Sequence, residues 1–206
     1  LARAAPSRDR IVERYWLARL FCLRGEPGKG LEQVRSALEE AGRFPDPEVD
    51  APLQILHGRL LLDAREMRRL GPALREIQRV LQAGSDPDDR LEAAALLLEA
   101  SSFPRSPYSS PGPPALLEGI RREASSASQG RWALARGRAE KGDPGGANLG
   151  AFLEARELAL RSHDLSLEAE ALWELFQKGS FPALPPEESW RVAAYLTENR
   201  IRGPLR

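Results

Sequence analysis

Leu17-Ala18-Arg19, followed by Arg24-Gly25-Glu26-Pro27-Gly28, returns later in the chain as Leu134-Ala135-Arg136, followed by Lys141-Gly142-Asp143-Pro144-Gly145. Both pieces are displaced by the same 117 residues, three units of 39. Two separate segments sharing one offset point to a repeated supersecondary unit. A middle copy lies at His57-Gly58-Arg59, 40 residues after the first. A second echo pairs Leu91-Glu92-Ala93 with Leu167-Glu168-Ala169 at an offset of 76, and the closing Ser102-Phe103-Pro104 with Ser180-Phe181-Pro182 at 78.

The repeated unit reads as a pair of helices. Ile11, Tyr15, Leu17, Leu20 and Phe21 recur at helical spacing, and Leu31, Val34, Ala37 and Leu38 do so after the break at Gly25-Glu26-Pro27-Gly28. Further helices are predicted over residues 51–66, 72–83, 89–101, 114–127, 130–141, 146–162, 167–178 and 187–200. Asp89 with Glu92 forms a capping-box pattern, and Gly71-Pro72 and Asp143-Pro144 would put proline at the first helical position. Strand signals are nearly absent: β-branched residues are few, and no Asn-Gly or Asp-Gly hairpin turn occurs. The proline- and serine-rich stretch 103–114 is expected to be a loop, with Ser106 and Ser110 as conceivable Ser-Pro modification sites.

These residues carry a family resemblance. Leu17, small Ala18 and bulky Phe21, then Gly25, Gly30, Val34 and Ala37, resemble in register the small and large packing positions of a tetratricopeptide repeat. Small residues let two helix backbones approach, and bulky ones fill the groove between them. Around Ala135, Arg138 takes the bulky slot, Gly142 and Ala147 fit and Ala151 is undersized; around Gly58, Leu61 and Leu74 fit but Arg65 stands at the turn. Units near 39 residues resemble the sensor arrays of MalT-type bacterial transcription activators. The resemblance implies an all-α, right-handed α-solenoid of about five antiparallel helix pairs, one TPR-like domain over 1–206 with a capping helix near 187–200. It also implies a protein-protein interaction or sensor module of a larger, cytoplasmic regulator. The alternative is a helical accessory domain of a nucleic-acid-processing or ATP-driven machine.

Composition allows a folded domain and counts against the nucleic-acid alternative. The chain has 206 residues, 42% of them hydrophobic, enough for a substantial core. Charged residues make up 29% with a formal net charge of zero, so no overall field favours a polyanion or an anionic membrane. Only Lys29, Lys141 and Lys178 are lysines, leaving 27 of 30 basic residues as arginine, a bias that a GC-rich genome would produce. Because the chain begins with Leu1, it is expected to be a piece of a longer protein. No apolar run approaches membrane-spanning length. Cys22 is the sole cysteine, which excludes an internal disulfide and a cysteine-built zinc site.

No catalytic signature stands out. His57 falls in a helix-packing slot and His163 in the turn Ser162-His163-Asp164, and nothing local links either to Cys22. Glu39-Glu40 and Glu187-Glu188 read as solvated helix ends. The expectation is therefore no enzyme activity, no catalytic residues, no metal and no cofactor. One column does invite a binding role: Arg19, Arg59 and Arg136 each follow the small packing position, and Tyr15, Ile55 and Trp132 precede them by one turn. Guanidinium forks bind carboxylates bidentately, and planar rings hold an extended chain by stacking, so this partner-binding column suits an acidic or C-terminal peptide. Arginine stems also cover apolar helix surface without binding anything. Trp173 and Trp190 are expected in the closing core.

Overall fold

Aspartate, serine and left-handed turn residues mark where the helices begin and end. The computed structural model describes residues 8–43, 46–103, 114–140 and 147–178. Every regular element among them is a helix: α1 Arg8–Leu23, α2 Pro27–Ala41, α3 Pro47–Asp63, α4 Met67–Ala83, α5 Pro87–Ser101, α6 Pro114–Glu123, α7 Ser126–Ala139, α8 Ala147–Ser162 and α9 Leu165–Gln177. Ser106 and Ser110, Asp143-Pro144, Glu187-Glu188, the 187–200 helix and Trp190 lie outside the described residues, as does most of the 103–114 loop. By its internal contacts the chain divides into two compact units, Leu1–Val80 and Leu81–Arg206.

In the first unit α1 packs on α2, α2 on α3, and α1 also on α3. The small residues at the repeat positions explain the close approach. A Cβ on Gly30 would lie 2.8 Å from Leu60 Cδ2 and 3.2 Å from the Ala18 carbonyl oxygen. Ala18, Val34 and Ala37 are fully buried. Ile11, Ala37, Ala41, Val49 and Leu53 form a core cluster that Tyr15 and Leu38 cover. Leu17 and Leu20, counted above with the apolar periodicity, are 38% and 41% exposed. Apolar residues occur on two faces of α1, and α2 and α3 cover the one that carries Ile11 and Ala18.

The turn between paired helices repeats in atomic detail. Gly25 has φ 67°, its N–H donates to the Cys22 carbonyl (3.0 Å), and the Glu26 N–H donates to that of Phe21 (2.9 Å). Arg65, 40 residues on, has φ 55° with the same two bonds, to Leu62 (3.0 Å) and Leu61 (2.9 Å). His163 has φ 55° and repeats them to Leu160 (3.4 Å) and Ala159 (3.0 Å). This satisfies the last carbonyls of the preceding helix, and it holds two non-glycine residues in the left-handed region. It also corrects the start of α4. Leu70 N–H donates to the Glu66 carbonyl (3.2 Å), as Gly30 does to Glu26 (3.3 Å), so α4 begins at Met67 and Pro72 lies inside it.

In the second unit α5 packs on α6 and α7, α7 on α8 and α9, and α8 on α9. Its core joins Ala133, Leu134, Phe152, Ala155, Ala159, Leu167, Leu172 and Leu175. Gly130 admits Leu167, whose Cδ2 would sit 2.5 Å from an added Cβ, and Gly137 admits the Phe152 ring at the same distance. The cap of α5 is Asp86, which accepts from Asp88 N–H at 2.8 Å, rather than Asp89. Pro87 fits the first helical position and so draws the start one turn upstream. The break expected between 127 and 130 falls earlier, at Ser125, whose hydroxyl accepts from Ser128 N–H (3.4 Å) and caps α7.

Candidate partner-binding site

Tyr15 and Arg19 stand one turn apart on α1, and the fold brings them together with Trp16. The body of Tyr15 covers the first unit's core, leaving its hydroxyl to accept from Arg19 Nη1 at 3.4 Å. The Arg19 guanidinium carbon lies 5.5 Å from the Trp16 ring centroid, within cation–π range, and Tyr15 meets Trp16 edge-on at 5.4 Å. Trp16 is 58% exposed. Arg19 has no carboxylate partner among the described residues. Trp16 stands beside the repeat column, not in it, so the repeat carries no signal for it.

The other column members differ in surroundings. On α3, Ile55 is buried, with little surface to offer a partner, and Arg59 is half-buried. In the second unit Trp132 is half-buried, and Arg136 Nη2 bonds Glu154 Oε2 at 2.6 Å. The other oxygen of Glu154 accepts from Arg121, so one carboxylate joins α6, α7 and α8. Arg136 is thus already engaged within the fold, whereas Arg19 presents its guanidinium to an aromatic ring.

Two arginines outside the column organise a charge ladder. Arg131 binds Glu92 (2.5 Å) and Asp164 (3.1 Å), and Ser128 donates to the same Glu92 oxygen at 3.4 Å. Two turns along α7, Arg138 binds Glu174 (2.7 Å), Glu170 (2.9 Å) and Glu99 (3.5 Å). Burial opposes the charge of Arg138, but Glu170, Glu99 and Glu174 outweigh it and hold the guanidinium above its usual range. Glu92 and Glu99, like Arg131 and Arg138, are seven residues apart, which puts each pair on one helix face. That spacing was the available sequence signal. By the repeat register alone, Arg138 falls in a bulky packing slot.

The remaining titratable groups are dispersed. Burial, and then nearby Arg35, hold His57 below its usual range, while His163 sits exposed in the α8–α9 turn. Cys22 lies 3.5 Å from Asp63. Among the described residues no three His, Cys, Asp or Glu side chains could hold a metal ion, and no helix is long and apolar enough to cross a membrane. A depression of about 200 Å³ beside Leu160, His163 and Glu168 is smaller than ordinary ligand pockets. Comparisons with protein-family models, curated proteins and solved structures find no match for this chain.

Proposed function

We propose that the chain is the interaction module of a larger intracellular regulator. In this reading it is a right-handed, tetratricopeptide-like stack of about five helix pairs that holds an extended protein segment bearing acidic side chains or a free carboxylate. The recurrence of one turn geometry at Gly25, Arg65 and His163 supports a repeated unit. The observation that carries the binding role is Arg19, held between the Tyr15 hydroxyl and the exposed Trp16 ring without a carboxylate among the described residues. An incoming carboxylate could take the guanidinium's remaining N–H donors while the ring supports the adjoining chain.

The test is calorimetric titration with peptides ending in an acidic residue, alongside the same peptides amidated at the C-terminus. Arg19→Ala should cost about 1.5–3 kcal/mol of binding, the range for hydrogen bonds to charged groups, with helicity unchanged. Arg19→Lys should rescue poorly, because a point charge lacks the fork. Equal affinity for wild type and Arg19→Ala would remove the site.

A further inference from the structure

The outer face of α1 presents a second pattern, independent of peptide binding. Asp9, Glu13, Trp16, Leu17, Leu20 and Arg24 are all exposed and are spaced by three or four residues, so they form one stripe along the helix. Trp16, Leu17 and Leu20 are 58%, 38% and 41% exposed, an apolar centre little longer than one turn. Acidic Asp9 and Glu13 flank it at the N-terminal end and basic Arg24 at the C-terminal end. The side chains of Glu13 and Arg24 have no hydrogen bond or ion pair among the described residues.

The order of charges along this stripe is self-complementary. Glu13 and Arg24 stand equally far on either side of a point between Ala18 and Arg19, and Leu17 and Leu20 straddle that same point. A two-fold axis through it, perpendicular to the helix, would set Leu17 of one copy against Leu20 of the other. The same operation would set Glu13 against Arg24 at both ends. In a two-fold interface every contact occurs twice, so each complementary pair counts double. From this arrangement we infer that the stripe is a self-association surface on which two copies of this chain pair α1 against α1, antiparallel.

A patch on one helix buries well under the roughly 800 Å² per partner of a standard interface, so the dimer is weak, with a dissociation constant on the order of 10–100 μM. Trp16 also belongs to the proposed peptide site, so dimer and peptide would compete. The inference does not rest on that site, because the dimer is measured without any peptide.

Sedimentation velocity of the chain from about 1 to about 500 μM, a range that brackets this affinity, provides the test. The dimer fraction should rise with concentration, and Leu20→Glu should lower the association constant at least about tenfold. Glu13→Arg sets arginine against arginine and Arg24→Glu sets glutamate against glutamate, so each should weaken association several-fold, roughly 3–10-fold. The double variant Glu13→Arg/Arg24→Glu should recover the wild-type constant, the signature of antiparallel pairing of identical helices. All three substituted residues are exposed, so circular dichroism should stay unchanged in every variant. A monomer throughout the range, association that survives Leu20→Glu, or failure of the double variant to recover would each overturn the proposal.

Discussion

Asp89 shows how a single side chain can set a pH dependence. It lies in the first turn of α5 without a hydrogen-bond donor among the described residues. Burial, then the charges of Asp86, Glu92 and Asp88, push its pKa up from 3.8 to about 6. The folded state therefore holds this proton more tightly than the unfolded chain does. Folding is favoured while Asp89 is protonated, and that contribution is lost as pH rises from about 4 through about 6. The side chain is only half-buried, so the effect is discounted to roughly 1 kcal/mol. Urea unfolding should show Asp89→Asn more stable than wild type at neutral pH and level with it near pH 4. An equal difference at both values would contradict the assignment. Arg65 carries a different lesson at this scale, since its left-handed φ was hidden by a residue type that gives no glycine signal.

Among elements, glycines in helices separate by what stands opposite them. Gly137 on α7 faces the Phe152 ring of α8, where an added Cβ would meet ring atoms at 2.5, 2.8 and 2.9 Å. Phe152 is 1% exposed, so the ring has little room to retreat. Gly119 on α6 has nothing within 4 Å. Alanine gains about 1 kcal/mol over glycine in a helix interior, while overpacking costs about 1–3 kcal/mol. Gly119→Ala should therefore stabilise by roughly 0.5–1 kcal/mol and Gly137→Ala should destabilise by a similar or larger amount, read as opposite shifts of the thermal midpoint. Shifts of the same sign would mean that α7 and α8 are not packed as described. Large residues at Ala18 or Ala135, both 0% exposed, belong to the Gly137 case.

At the scale of the whole molecule, helices distant in sequence are joined within the second unit by charge as well as by apolar packing. Arg138 ties α7 to α5 through Glu99 and to α9 through Glu170 and Glu174. Arg138→Met keeps much of the side-chain volume but leaves neighbouring carboxylates without their cation, so it should cost roughly 2–4 kcal/mol at neutral pH. Urea unfolding should show Arg138→Lys, which keeps the charge without the fork, losing less than Arg138→Met, and equal losses in the two variants would assign the effect to packing alone. The sequence by itself determined that the chain is helical, where most helices lie, and that Ala18, Gly30 and Ala135 let backbones approach. Those features depend on residues a few positions apart, and periodicity and small-residue spacing record them directly. Only the tertiary structure decided that Arg136 is engaged by Glu154 while Arg19 rests on Trp16. It alone decided also which of the two apolar faces of α1 is covered, and that Arg131 and Arg138 are laddered across three helices. The physical reason is that the carboxylates of Arg131, Arg136 and Arg138 arrive from facing helices 18 to 39 residues away, of which local sequence carries no record, whereas Arg19 and Trp16 stand within one turn of α1 and only the packing shows that no carboxylate among the described residues reaches them.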